Sequence, residues 1–346
     1  MNNNDWNSVF PEVPQRFHET VQCTLDTQIL NNTGRKKVLK KRFPIVLAAV
    51  IAALGVTAAA TAYIIQWNDK LAERFDANEE QQNQLVSDSA IASVDQTVTE
   101  SGLTVTAVQT LGHKNGVYLL FDVKAPEGIT LSDENLFEGT SVEIEGIENG
   151  ANYSGGFLSD TNQNVSSPAG TNERYYEIWL SNTDQADWNG KKITVTFSNL
   201  QANNEKLDMY TELEGKWTLS WMLSYTDQAQ TFEINQAYDI GGHEVFVKSI
   251  ELSPLSMTID LGGTGLEQLI EDAGLDELGT LFMPSLILYD GTTFQSFGGP
   301  GSENWTETEY TRTISFDKIL DVDQLTGITL NFQSETSDNA LTVSIP

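Results

Sequence analysis

The chain has 346 residues and a formal net charge of −30, so it is long enough for about two domains and acidic enough to disfavour direct binding to nucleic acid. The charge is unevenly distributed along the sequence. Residues 1–42 carry seven Lys and Arg against four Asp and Glu, whereas residues 66–346 carry twelve against forty-five. This asymmetry predicts that the two ends of the chain lie in different compartments.

Residues 1–42 contain a predicted amphipathic helix that begins near Pro14 and ends near Leu30. Apolar residues recur at every fourth position and form one stripe: Phe17, Val21, Leu25 and Ile29. An isolated helix of this length is marginally stable in water, so we expect the stripe to bind a protein partner or the inner face of a membrane. Glu19 and Asp26 favour the protein partner, because anionic lipid would repel them.

A metal site is not expected in this segment, although it contains His18 and Cys23. Cys23 is the only cysteine of the chain, and a tetrahedral zinc site needs three or four protein ligands. We therefore predict neither a metal nor another cofactor. A single cysteine also excludes disulfide bonds within the chain.

A transmembrane helix is predicted over residues 43–65, because these 23 positions contain no charged side chain and a spanning helix needs roughly 20 residues. The basic residues before it are Arg35, Lys36, Lys37, Lys40, Lys41 and Arg42. Acidic residues dominate after it, so the N terminus is expected in the cytoplasm and the C-terminal domains outside the plasma membrane. A signal peptide cleaved after Ala62 is the alternative, but the 42 residues before the apolar run disfavour it.

Residues 66–92 are rich in Asn, Gln and Glu and are predicted to form a polar stalk. From residue 93 onward, apolar residues alternate with polar ones, as in the run from Val117 to Val123, and turn residues separate the runs. The predicted fold is therefore mainly β. We expect two tandem antiparallel, Ig-like β-sandwiches over 93–226 and 227–346, the second with one short helix that carries Leu266, Leu269 and Ile270 inward.

No catalytic residues are predicted. His113 and His243 lie near hairpin turns and are expected to be exposed, and Ser315 with Lys318 matches a Ser-x-x-Lys motif without its companion motifs.

Tyr175 and Trp179 share a strand face opposite Ile178. We expect them to pack in a core or in cross-strand pairs rather than to line a groove for glycans.

Several of these features resemble a known family. The residues Val13, Pro14, Phe17 and His18, the basic residues before one alanine-rich span, and the hairpin from Val94 through Gly102 to Pro126 resemble Gram-positive (Firmicutes) anti-sigma-type membrane proteins. The first ectodomain of that family is called domain of unknown function 4179. Residues 252–256 together with 290–292 are similar to the second ectodomain often found with it. The resemblance implies an extracytoplasmic sensor whose cytoplasmic helix holds a sigma factor, and it supplies no catalytic residue.

Two functions remain open at this point. In the first, the cytoplasmic segment sequesters a sigma factor while the ectodomain senses the state of the envelope, for example through an envelope ligand. In the second, the ectodomain is a cell-surface binding or adhesion module that the N-terminal helix merely anchors. The apolar stripe from Phe17 to Ile29 favours the first function, because a simple anchor does not need it.

Overall fold

The computed structural model describes residues 67–346, except 148–150, 160–170, 183–185, 205–207, 241, 267, 270–281, 295–297, 333–339 and 346. The predicted cytoplasmic helix and the predicted span at 43–65 lie outside the described residues. Within the described part of the chain, no helix combines the length and the apolar character needed to cross a membrane.

The predicted stalk is wrong in its conformation, because its residues form two short helices that pack against the rest of the protein. They are α1 (Asp69–Arg74) and α2 (Glu79–Ser87). Asn68 caps α1, and its extended backbone shows that α1 begins there rather than continuing an earlier helix. Asn78 and Gln81 form a reciprocal capping box that starts α2. The polar composition of this segment thus supplies helix caps and exposed helix faces, while its few apolar residues are buried.

The first sandwich follows directly after the helices. Its described strands are β1 (Ile91–Glu100), β2 (Leu103–His113), β3 (Gly116–Lys124), β4 (Leu136–Ile144), β5 (Ala151–Phe157), β6 (Glu173–Asn182), β7 (Lys192–Asn203) and β8 (Met209–Met222). One antiparallel sheet has the order β1-β2-β3-β6-β5 and the other the order β4-β7-β8. The predicted hairpin is confirmed as β2 and β3, which pair from Thr104 with Lys124 to His113 with Gly116.

The core of the first sandwich lies between these two sheets and is rich in aromatic rings. The Phe197 ring centroid on β7 lies 4.5 Å from that of Phe137 and 5.2 Å from that of Phe121 on the opposite sheet. Trp217 is fully buried, and its indole N–H donates to the carbonyl oxygen of Leu103 at 3.0 Å. This bond satisfies a polar group that burial would otherwise leave without a partner.

The described strands of the second sandwich begin at Gln230. Its described strands are β9 (Gln230–Ile240), β10 (His243–Leu252), β11 (Ser256–Gly262), β12 (Phe282–Leu288), β13 (Thr293–Phe294), β14 (Ser302–Trp305), β15 (Glu309–Ser315), β16 (Leu325–Phe332) and β17 (Ala340–Ser344). The sheets have the orders β14-β15-β11-β10-β9 and β13-β12-β16-β17. A separate apolar core lies between them.

The short helix predicted for the second sandwich is described in part. Leu266 and Leu269 lie in helical backbone and are buried in it, as predicted, whereas Ile270 lies outside the described residues. The mainly β character of the chain is also confirmed, with antiparallel pairing throughout the described sheets.

Candidate functional site at the junction of the helices and the two sandwiches

A third apolar cluster joins the helical segment to both sandwiches, and we call it the junction. Its buried residues come from residues 67–91, from the outer face of the first sandwich and from two loops of the second: Trp67, Leu71, Phe75, Leu85, Ala90, Ile91, Leu111, Tyr118, Leu120, Leu158, Trp179, Leu255 and Ile319. The outer face of an antiparallel sheet usually meets solvent and carries polar residues. Here the helices cover part of that face, so the apolar residues on it are buried.

Three aromatic rings form the centre of the junction. The ring centroid of Phe75, just after α1, lies 4.9 Å from that of Tyr118 and 5.6 Å from that of Trp179. The Tyr118 and Trp179 centroids are 5.4 Å apart, and all three pairs meet edge to face. This arrangement is the favoured one for aromatic quadrupoles. As predicted, Trp179 packs on the face opposite Ile178, which lies in the core of the first sandwich.

A charged network borders these rings. Arg74 Nε lies 2.7 Å from Glu177 Oε2, and the Tyr118 hydroxyl donates to the same oxygen at 2.7 Å. Burial disfavours the charge on Arg74, but attraction to Glu177 outweighs it and raises the pKa of the guanidinium. Burial, reinforced by Glu177, raises the pKa of Tyr118 well above its usual value. The network therefore fixes α1 to β6 with a paired charge.

The second sandwich contacts the helical segment directly. Gln81 Nε2 donates to the carbonyl oxygen of Ile319 at 3.0 Å, and Lys318 Nζ lies 2.8 Å from Asp76 Oδ2. The backbone at Gly299 lies against the Trp179 ring, because a Cβ atom there would be 2.8 Å from Trp179 Cζ2. The helical segment thus lies where both sandwiches meet and contacts each of them.

The tip of the β2–β3 hairpin makes a second, polar contact between the sandwiches. Lys114 Nζ lies 2.7 Å from Glu251 Oε2, and Asn115 Nδ2 donates to Glu251 Oε1 at 3.1 Å. The hydrogen bond to Glu251 raises the pKa of Lys114. Lys114 N also donates to Asp227 Oδ1 in the linker between the sandwiches at 3.1 Å.

His113 is buried at this contact, so the expectation of an exposed histidine is wrong. Its Nδ1 lies 3.1 Å from Ser256 Oγ, and its Nε2 is buried with no described partner. Burial lowers the pKa of His113 to about 3, so the ring is neutral at physiological pH. Ser256 is buried as well, and its hydroxyl forms hydrogen bonds within the protein, with His113 Nδ1 and with Ser253 Oγ at 3.0 Å. The pair therefore serves as an inter-sandwich contact.

The structure does not test the residues predicted from sequence as functional. The partner-binding stripe of Phe17, Val21, Leu25 and Ile29 lies outside the described residues, as do the basic residues Arg35 to Arg42. Conversely, composition alone missed the junction. The spacing of Trp67, Leu71 and Phe75 at every fourth position was the signal that could have indicated a buried helical face.

Ser315 and Lys318 do not form a catalytic pair in the structure. The buried Ser315 hydroxyl donates to the carbonyl oxygen of Pro300 at 2.7 Å, and Lys318 pairs with Asp76. Within the described ranges, no three His, Cys, Asp or Glu side chains are arranged to hold a metal ion.

Comparison with known proteins yields a structural likeness only. No family model matches the chain, and no curated protein matches it in sequence. The structure is similar to that of a conserved domain protein from Bacillus anthracis, with a TM-score of 0.52 and 11% identity over 75% of this chain and 93% of that one. A titin fragment, A168–A169, also matches, with 11% identity over 67% of this chain and 90% of that one. Its TM-score of 0.16 is too low to support a shared fold. The bacterial protein supports the fold and does not indicate an activity.

Proposed function

We propose that the chain is a single-pass membrane regulator of the anti-sigma type. In this proposal, residues 43–65 cross the plasma membrane, the helix with Phe17, Val21, Leu25 and Ile29 sequesters a sigma factor in the cytoplasm, and the two sandwiches sense the state of the envelope outside. The sequence supports the topology through its charge distribution. The two sandwiches would then be Ig-like extracytoplasmic domains.

One structural observation carries the proposal. The segment that follows the predicted span is packed against both sandwiches through Trp67, Leu71, Phe75 and Leu85. A module that is merely anchored needs only a flexible tether at this position. In a regulator, by contrast, a change in the sandwiches has to alter the segment that enters the membrane, and a shared junction couples the two.

The sequestering helix is tested by charge substitutions in its apolar stripe. Phe17→Asp with Leu25→Asp would place unpaired charge in the groove of the partner, so affinity for the sigma factor should fall by orders of magnitude. Gln22→Asp with Thr27→Asp is the matched control, because it adds the same charge beside the stripe. Each full-length variant should be co-purified with sigma factors from the same genome. If the stripe variant retains its partner as well as the control does, the helix does not sequester it.

The topology is tested separately by protease added to intact protoplasts. Residues after 66 should be digested while a tag at the N terminus stays protected. Digestion of the N-terminal tag would reverse the orientation, and a mature protein that begins at Tyr63 would show that a signal peptide had been removed.

A further inference from the structure

A cleft of about 380 Å³ opens where α2, the linker between the sandwiches and the second sandwich meet. Its lining comes from α2 and Asp88 after it, from Gln228 and Gln230 in the linker region, from Pro254, and from residues 319–324, which include a 3-10 turn. This volume lies in the range of sites that hold small organic molecules. The cleft adjoins the junction, because Leu85 and Ile319 belong to both.

Part of the cleft lining is apolar. Leu85, Ile319 and Leu320 contribute the small part of their side chains that stays exposed, and Pro254 also lines the cleft. An apolar surface of this kind can pack against the methylene groups of a ligand.

The cleft lining also carries four acidic side chains. Its carboxylates are Glu80, Asp88, Asp321 and Asp323, and none of the described lining residues is Lys or Arg. Lys318, next to the cleft in sequence, already pairs with Asp76 at 2.8 Å. Glu80 and Asp323 have no ion-pair partner among the described residues. The cleft therefore attracts cations, and the net charge of the whole chain reinforces this attraction.

Glutamine amides complete the lining. Gln84 donates through Nε2 to Asp88 Oδ2 at 2.7 Å, and Gln228 donates through Nε2 to the Asp88 carbonyl oxygen at 2.9 Å. These bonds use the donor end of each amide and leave its Oε1 as an acceptor for N–H groups of a ligand.

We propose that this cleft binds a small oligoamine, that is, an alkyl chain with two or more ammonium groups. The apolar surface fits the methylene groups, and the carboxylates and amide oxygens fit the separated ammonium groups. This binding goes beyond the proposed regulatory function and does not depend on a sigma factor.

Spermidine is the probe, titrated into the full-length chain in non-ionic detergent at low ionic strength by isothermal calorimetry. One saturable site is expected. Glu80→Gln with Asp323→Asn should weaken binding by about tenfold or more, because two attractive charges are lost. Glu134→Gln with Asp208→Asn removes the same charge from exposed positions on the first sandwich and should leave the affinity within about twofold.

Three further titrations distinguish specific binding in the cleft from general attraction of cations to the acidic protein. Hexylamine carries one ammonium group and Mg²⁺ carries charge without an alkyl chain, so both should compete poorly with spermidine. Equal competition by Mg²⁺, equal loss in the two double variants, or no saturable binding would overturn the proposal. Trilysine presents the same chemistry on a peptide, and tighter binding of trilysine than of spermidine would overturn the assignment to a free oligoamine. None of these outcomes bears on the binding of a sigma factor by residues 1–42.

Discussion

Arg74, in the helix that follows the predicted span, forms a 2.7 Å ion pair with Glu177 on the outer face of the first sandwich. The two residues lie 103 positions apart in sequence. Both are largely shielded from solvent, with side chains 10% and 25% exposed. The pair therefore joins α1 to the sandwich that it covers.

Arg74→Met should lower the free energy of unfolding by about 2 kcal/mol, because it leaves the Glu177 carboxylate partly buried without its cation. Arg74→Met with Glu177→Gln should recover much of this loss. Lys248→Met is the control, since the Lys248–Glu309 pair has the same 2.7 Å distance but is 40% and 65% exposed. Urea unfolding of the three variants checks this prediction, and equal losses in Arg74→Met and the control would contradict it.

Phe75→Ala should create a cavity at the centre of the junction and cost about 3–5 kcal/mol, the usual range for a buried phenylalanine. The loss should also alter the fluorescence of Trp179, whose ring meets Phe75 edge to face. Tyr289→Ala serves as the control, because Tyr289 is 82% exposed and its removal should change stability by less than about 0.5 kcal/mol. A Phe75→Ala protein as stable as this control would show that the junction contributes little.

His113 should make the contact between the sandwiches sensitive to acid. The pKa of His113 is about 3 in the folded protein and about 6.5 when unfolded, so its contribution to stability is complete above pH 6.5 and is lost as the pH falls toward 3. At pH 4.5 the loss should be about 2–3 kcal/mol.

His113→Gln keeps a polar side chain that does not titrate, so the difference in stability between wild type and variant should change over this pH interval. Carboxylates titrate in the same interval, but they are common to both proteins and cancel in that difference. Chemical denaturation at pH 7.5 and at pH 4.5 measures it. A difference that is constant between the two pH values would mean that His113 is not buried as a neutral ring.

The helical segment should stabilise the first sandwich. Residues 67–226 are expected to unfold at a higher temperature than residues 93–226, because removal of the helices exposes Leu111, Leu120 and Trp179. Each sandwich has its own core, so residues 227–346 should still unfold cooperatively. Differential scanning calorimetry of the three fragments tests both statements. Equal transition temperatures for the two N-terminal fragments would argue against docking of the helices.

The sandwiches were largely predictable from sequence, because alternation in a strand reports directly which side chains face the core. Burial alternates along β2 as far as Val108, along β6 as far as Ile178 and along β7 as far as Phe197, whereas β3 is buried on both faces. By contrast, β5 has the sequence ANYSGGF and lies at a sheet edge, where a regular apolar face is not required, so alternation did not indicate it.

The junction and the polar contact at the tip of the β2–β3 hairpin were not predictable, because their contacts join residues distant in sequence. His113 and Ser256 are 143 positions apart, and nothing local distinguishes a buried histidine at a hairpin from an exposed one. The run from Asn78 to Gln84 has the composition of a disordered linker, yet its caps and the burial of Leu85 make it helical. The composition of this segment therefore predicted its polarity correctly but did not predict its helical conformation.

The proposed function requires coupling between the junction and the proposed cytoplasmic helix. The activity of a sigma-dependent promoter in living cells measures this coupling. One set of cells expresses the full-length chain with Leu71→Ala and Phe75→Ala, the junction variant. A second set expresses the Tyr289→Ala control at the same protein level. Promoter activity should change several-fold in the junction variant, which corresponds to a shift of about 1 kcal/mol or more in the equilibrium between free and sequestered sigma factor, and should stay at the wild-type level in the control. Equal promoter activity in the junction variant, the control and the wild type would contradict this coupling.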